Sequence, residues 1–181
     1  MGQSQSEEGF LSAVINGERG AMLFRATGRD DLALQELRKA LEIDPSFPYA
    51  HWRIGLMHLW KGELTEADSE FQKAMVLAPG VTMYKAGLAH VYAREGRTTE
   101  AHRLLDELKE LSKIRYVSEV DLASIYIGLG KKDQAFTYLE KAYQQRDPRL
   151  TVWLTRRPEF ETLRSDPRMK DLVRRVGLPG D

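Results

Sequence analysis

The chain has four histidines, the side chains most often used as proton carriers or metal ligands near neutral pH: His51, His58, His90 and His102. His51 and His58 are seven residues apart and would share a helix face, but no third ligand follows at metal spacing. The chain has no cysteine, and it contains no HExxH, GxGxxG, P-loop or GxSxG motif. We therefore expect no enzyme activity, no metal site and no cofactor.

Composition narrows the class of partner. Lys and Arg total 27, as do Asp and Glu, so the formal net charge is zero. A neutral chain is not expected to bind nucleic acid, because such binding depends on an excess of positive charge. Residues 1–81 carry more acidic than basic side chains, and residues 82–181 the reverse. This gradient is either an ordinary solvated surface, or a means of orienting a partner or of associating head to tail.

The N-terminal residues give no sign of secretion or membrane insertion. They lack a basic n-region and a long apolar core, and they carry Glu7 and Glu8 instead. No apolar stretch approaches the roughly 20 residues of a spanning helix. These features predict a cytoplasmic protein without membrane contact.

The strongest pattern in the sequence is a period of 34 residues, marked by Ala33, Ala67, Ala101 and Ala135. Matching glycines stand five residues earlier, matching small residues twelve earlier and aromatic or histidine residues nine earlier. The glycines are Gly28, Gly62, Gly96 and Gly130; the small residues are Ala21, Gly55, Ala89 and Ala123; the last group is Phe24, His58, Tyr92 and Tyr126.

Within each unit the apolar positions recur at helical spacing, and the glycine lies between two such stretches. The small residues indicate where two helices cross closely, and His58 is expected to be a packed side chain beside such a crossing. Each unit is therefore predicted to be a helix–turn–helix. The predicted units are 14–47, 48–81, 82–115 and 116–149.

These units resemble the tetratricopeptide repeat (TPR) family. The residues that carry the resemblance include Gly55, Gly62, Ala67, Phe71, Ala74 and Pro79 in the second unit, and Leu88, Ala89, Tyr92, Gly96 and Ala101 in the third. The resemblance implies an all-α fold, a right-handed α-solenoid of four helix–turn–helix repeats with a C-terminal helical cap. The first unit departs from the pattern at Gly17 and Gly20, so its first helix is expected to be the least regular.

The period stops after Pro148, which predicts a repeat array over 1–149 and capping helices with a tail over 150–181. Ser165-Asp166-Pro167 has the pattern of a helix start, and Gly177 of its end. Leu172, Val173 and Val176 are expected to form the buried face of this helix, and Trp153, Leu154, Phe160 and Leu163 are expected to cover the fourth repeat. The tail also resembles the end of bacterial TPR signalling proteins, in which repeats follow a kinase, a cyclase or a DNA-binding domain.

In this family the first helices of the repeats line a concave groove. The positions that map to it and suit a partner are Tyr49, Trp52, Leu56, Trp60, His90 and Arg94. Trp60 and Arg94 occupy equivalent positions and are expected to be neighbours across the groove. The Lys, Asn and Arg set with which some relatives grip a chaperone's C-terminal carboxylate is missing here, so that kind of binding is not expected.

The predicted function is that of a non-catalytic scaffold or adaptor, which binds a peptide or a partner helix in this groove. The alternative is a C-terminal sensor or regulatory module of a larger bacterial kinase, cyclase or transcription regulator.

Overall fold

The computed structural model describes residues 30–156 and 158–178. It has ten α-helices in these ranges, and the predicted all-α class is confirmed. The helices are α1 Asp30–Ile43, α2 Pro48–Lys61, α3 Leu64–Leu77, α4 Thr82–Arg94, α5 Thr98–Ser112, α6 Glu119–Gly128, α7 Lys132–Gln144, α8 Pro148–Arg156, α9 Glu161–Arg164 and α10 Pro167–Val176, with a 3₁₀ turn at Pro158–Phe160.

The first helix of the first predicted repeat, with Gly17 and Gly20, lies outside the described residues. The chain divides into two compact units, Met1–Gly80 and Val81–Asp181. The repeat limits at residues 48, 82 and 116, and the array–cap boundary at residue 150, stay predictions.

In the first unit, α2 packs against both α1 and α3. Its core cluster consists of Ala33, Leu34, Leu37, Ala50, Ile54 and Met57. Between α2 and α3 the helices approach closely because Gly55 has no side chain. A Cβ atom built on Gly55 would lie 3.0 Å from ring atoms of the fully buried Phe71. The close crossing predicted at Gly55 is thus present.

The turn that joins the two helices of a pair depends on a left-handed residue. Gly62 has φ of 81°, and the amide of Glu63 donates to the carbonyl of His58 at 3.0 Å. This is the hydrogen bond that closes a Schellman turn, and glycine adopts the required φ without steric cost. Gly96 and Gly130 have φ of 77° and 70°, which confirms the predicted turn role of these glycines, while Gly28 lies outside the described residues.

In the second unit, α4 pairs with α5 and α6 pairs with α7, and the two first helices α4 and α6 pack against each other. Both first helices are buried along most of their length, and their buried residues are not confined to one face. Helix α6 begins at Glu119, because Ser118 is extended and its hydroxyl donates to Asp147 at 2.7 Å.

The tail is helical and packs on the last helix pair, and its role as a cap stays a prediction. Helix α8 packs against α6 and α7, and α10 packs against α7. The buried side chains of the cap are Leu150, Leu154, Phe160, Leu163, Met169 and Leu172. Val173 and Val176, which were predicted to lie on the buried face of the last helix, are only partly buried, and so is the predicted cover Trp153.

Asp166 is the N-cap of α10, where its carboxylate accepts from the amide of Arg168 at 3.0 Å, and Gly177 ends the helix with φ of 79°. Both ends of this helix were predicted from local sequence alone.

Candidate partner-binding surfaces

The predicted partner-binding residues of the first unit are placed along α2. Trp52 and Leu56 are buried, with exposed fractions of 4% and 2%, whereas Tyr49 and Trp60 are partly exposed. The ring of Trp60 packs against the core cluster of α1 and α2. Tyr49 and Trp60 are therefore the members of this group that offer ring surface to a partner.

An aromatic cluster surrounds the start of α2. The ring centroids of Tyr49 and Trp52 are 5.3 Å apart and tilted by 40°, and Phe47 lies 6.1 Å from Tyr49. The guanidinium carbon of Arg53 stands 5.9 Å from the centroid of Trp52, in the range of a cation–π contact. Sequence reasoning did not single out Arg53, although its position next to Trp52 was visible.

In the second unit, the predicted residues His90 and Arg94 differ in exposure. His90 is 1% exposed, and its Nδ1 lies 3.0 Å from the hydroxyl of Ser124, the equivalent position of the next repeat. Arg94 is exposed in the last turn of α4, where a cation interacts favourably with the helix dipole. Arg94 is the residue of this pair that a partner can reach.

A polar junction on the first-helix side of the second unit was missed by sequence reasoning. Asp121 of α6 is 1% exposed and accepts from the guanidinium of Arg149 at 2.6 Å. The other terminal nitrogen of Arg149 lies 3.8 Å from the sulfur of Met83. The sequence gives no local signal for this ion pair, because 28 residues separate Asp121 from Arg149. The pair can be recognised only once the positions of the helices are known.

The geometry does not assemble the histidines into one site. His58 is largely covered, with 15% of its side chain exposed, and its Nδ1 lies 2.5 Å from a carboxylate oxygen of Glu63. Within residues 30–156 and 158–178, no group of three or more acidic or histidine side chains is placed to hold a metal ion. That the chain is not an enzyme stays a prediction.

No helix in the described part of the chain has both the length and the apolar character needed to cross a membrane.

Of the six predicted partner-binding residues, the structure places three below the surface and three within reach of a partner. Whether they bind one stays a prediction.

Comparison with known proteins identifies the repeat. Residues 22–62 match the family described as TPR repeat, and residues 120–146 match the family described as tetratricopeptide repeat. Over 76 residues the chain is 33% identical to heat shock protein STI1 of Saccharomyces cerevisiae. This match covers 42% of the chain and 12% of the yeast protein, so the chain spans about an eighth of that relative's length.

These matches agree with the paired helices and with the glycines in left-handed backbone conformation between them. The repeat implies a role in protein–protein interaction. The chain contains tetratricopeptide repeats, which are matched at residues 22–62 and 120–146.

Proposed function

We propose that this protein is a scaffold or adaptor without catalytic activity, which binds a peptide or a helix of a partner protein on the first helices of its repeats. The residues assigned to this surface are Tyr49, Trp52, Leu56, Trp60, His90 and Arg94. The observation that supports the proposal best is the aromatic cluster at the start of α2, where Tyr49 lies against Trp52 beside Arg53.

This cluster has the composition of a binding hot spot, in which tyrosine, tryptophan and arginine are enriched. Trp52 is buried and holds the ring of Tyr49 in place, so Tyr49 loses little conformational entropy when a partner covers it. The partly exposed Arg53 adds a cation at the edge of the cluster. Such a surface suits an apolar or aromatic side chain next to a carboxylate.

The second unit contributes a separate contact through Arg94. Its exposed guanidinium can bind a carboxylate through two parallel hydrogen bonds, a geometry that lysine does not offer. The buried residues of the set have a different role: Leu56 and His90 keep their helices packed, so that the exposed neighbours are held in place.

The test uses peptides selected on the wild-type chain from a random display library, with Kd measured for the best binders. Tyr49→Ala and Arg94→Ala should each weaken binding about thirtyfold, which corresponds to roughly 2 kcal/mol for a hot spot. The far-ultraviolet circular dichroism should stay unchanged, because neither side chain belongs to the core.

Arg103→Ala is the matched control, since Arg103 is also exposed but lies on α5, a second helix, in an ion pair with Glu107. It should bind as the wild type does. Equal losses for Arg94→Ala and Arg103→Ala would indicate non-specific charge attraction. Unchanged binding in both Tyr49→Ala and Arg94→Ala would move the search to the second helices or to the tail.

A further inference from the structure

Two tyrosine rings of the second unit stack on each other, and a lysine lies over each of them. The ring centroids of Tyr126 on α6 and Tyr138 on α7 are 5.2 Å apart, with an angle of 23° between the planes. The ammonium nitrogen of Lys109 on α5 lies 5.6 Å from the centroid of Tyr126, and that of Lys141 on α7 lies 4.6 Å from the centroid of Tyr138. Both distances are in the range of a cation–π contact. Three helices thus place two cations at one aromatic pair.

A third lysine continues this group along α5. Lys131 directly precedes α7, and its ammonium nitrogen lies 3.1 Å from Nε2 of His102 on α5. His102 is seven residues before Lys109, so the two share a face of α5, about 10 Å apart along the helix. We call the five residues of this surface the lysine–tyrosine strip: Lys109, Tyr126, Lys131, Tyr138 and Lys141.

The three ammonium groups of the strip have hydrogen-bond donors left for a partner. Each has three N–H groups, of which Lys109 uses one on the side chain of Tyr126 and Lys131 uses one on His102. Among the residues that the structure describes, no carboxylate lies within 4 Å of the nitrogens of Lys131 and Lys141. The nearest carboxylate oxygen to Lys109, from Asp106, is 3.7 Å away, which is beyond hydrogen-bond distance.

The other carboxylates of α5 and α7 are engaged with other cations. These pairs are Glu100 with Arg97, Glu107 with Arg103, Glu110 with Lys113, Asp133 with Arg168 and Glu140 with Arg175. Glu119 of α6 interacts with Lys141 electrostatically, from a greater distance. The strip therefore carries positive charge that neighbouring acids do not neutralise by contact. It lies in the half of the chain that has more basic than acidic side chains.

We propose that the lysine–tyrosine strip binds an acidic segment of a partner protein, whose Asp or Glu carboxylates pair with the three lysines while its chain covers the partly exposed ring of Tyr138. Contact with the rings restricts Lys109 and Lys141, so less side-chain entropy is lost on binding than for lysines that extend freely into water. The rings also exclude water from one side of each ammonium group, which strengthens an ion pair. The strip involves the second helices α5 and α7, so this binding does not depend on the first-helix surface proposed above.

Fluorescence anisotropy of a labelled peptide of ten glutamates, titrated with the full chain at low ionic strength, tests the charge recognition. Lys131→Gln with Lys141→Gln should raise Kd about tenfold, since each variant removes one ion pair at a partly exposed site. The matched control is Lys113→Gln with Lys170→Gln, which removes the same charge from exposed positions of α10 and the end of α5 outside the strip. It should change Kd less than about twofold. Equal losses in the two double variants would overturn the proposal.

Two further probes test the class of partner. A peptide of ten glutamines should not bind measurably, and equal binding of both peptides would show that carboxylates are not recognised. A single-stranded oligonucleotide of ten thymidines should bind more weakly than the glutamate peptide, because nothing in the strip is arranged for a phosphate backbone. Tighter binding of the oligonucleotide would overturn the proposal of a protein partner.

Backbone ¹H–¹⁵N NMR of the wild-type chain locates the glutamate peptide without any variant. The amides of Tyr138 and Lys141 should shift during the titration, and that of Lys170 should not. Shifts at Arg94 and its neighbours on α4, with none at Tyr138, would place the acidic peptide on the first helices and overturn this proposal. The first-helix surface is tested independently by Tyr49→Ala and Arg94→Ala, so the two proposals can fail separately.

Discussion

His90 and Ser124 occupy the same position in consecutive repeats, 34 residues apart, and their side chains hydrogen-bond at 3.0 Å in the interior of the second unit. Both residues are at most 4% exposed. The contact joins the first helices α4 and α6 at a point where sequence analysis expected a surface for partners. Buried polar pairs of this kind fix how two helices align, since leaving one member unsatisfied is costly.

Ser124→Ala should therefore lower the free energy of unfolding by about 1–3 kcal/mol, because Nδ1 of His90 loses this hydrogen bond in a buried place. Urea unfolding measures the change. The double variant Ser124→Ala with His90→Leu removes both polar groups. Its loss in free energy of unfolding should be smaller than the sum of the losses in the two single variants. Strictly additive losses would show that the hydrogen bond contributes nothing.

Gly55→Leu should destabilise the first unit, because the new side chain must occupy the space of Phe71, whose ring atoms already lie 3.0 Å from the Cβ position. Overpacking of this kind costs about 1–3 kcal/mol or more. Differential scanning calorimetry measures the loss. Gly80→Ala is the control, since a Cβ there meets nothing within 4 Å, and its melting temperature should match the wild type. An unchanged melting temperature in Gly55→Leu would argue against the close crossing.

A chain that ends at Asp147 should aggregate or melt earlier than the full chain. Without the cap, apolar side chains of α7, including Phe136 and Leu139, lose their cover. In the full chain, Leu172→Ala should cost about 2–5 kcal/mol, because Leu172 is 2% exposed. Lys170→Ala, on the exposed side of the same helix, is the control. If the shortened chain stays monomeric and fully stable, the tail does not act as a cap.

The features that sequence reasoning predicted correctly are those with a local cause. Gly62 ends a helix because of its own backbone freedom, and Asp166 begins one because its carboxylate reaches the amide two residues ahead. Gly55 was found through its register with Ala89 and Ala123. The fold class followed from this periodicity.

The features that were missed depend on which side chains meet after folding. The pairing of His90 with Ser124 and of Asp121 with Arg149 requires particular rotamers on different helices. Exposure was also misjudged: the family pattern places Trp52 and Leu56 in the groove, but both are buried here. Periodicity fixes the face of a helix and leaves open what covers that face.

The cap should lose stability in acid through Asp166. The hydrogen bond from the side chain of Arg168 lowers the pKa of Asp166 most, and the hydrogen bond from the backbone amide of Arg168 lowers it further, from 3.8 to about 2. A depressed pKa means that the stabilisation is present above the pKa of the unfolded chain and is lost as the pH falls from about 4 towards about 2. Asp166→Asn keeps a capping side chain without the charge, so its stability should change less over this window.

Circular dichroism of the helices between about pH 4 and 2 compares the two chains. Other carboxylates titrate in this range in both, so the difference between them isolates Asp166. Parallel acid curves for the wild type and Asp166→Asn would mean that the charge of Asp166 does not contribute.

The ion pair between Asp121 and Arg149 should contribute more to the free energy of unfolding than the ion pairs on the surface do. Arg149→Met leaves the carboxylate of Asp121, 1% exposed, without its 2.6 Å partner. Removing one member of a buried pair costs about 3–5 kcal/mol, and the partial exposure of Arg149 places the expected loss near the lower limit. Lys113→Met, which removes an exposed pair with Glu110, should cost less than about 1 kcal/mol. Asp121→Asn with Arg149→Met should recover part of the loss, because the buried carboxylate is then gone as well. If Arg149→Met is as mild as Lys113→Met, water reaches Asp121 and the junction does not hold α8 on α6.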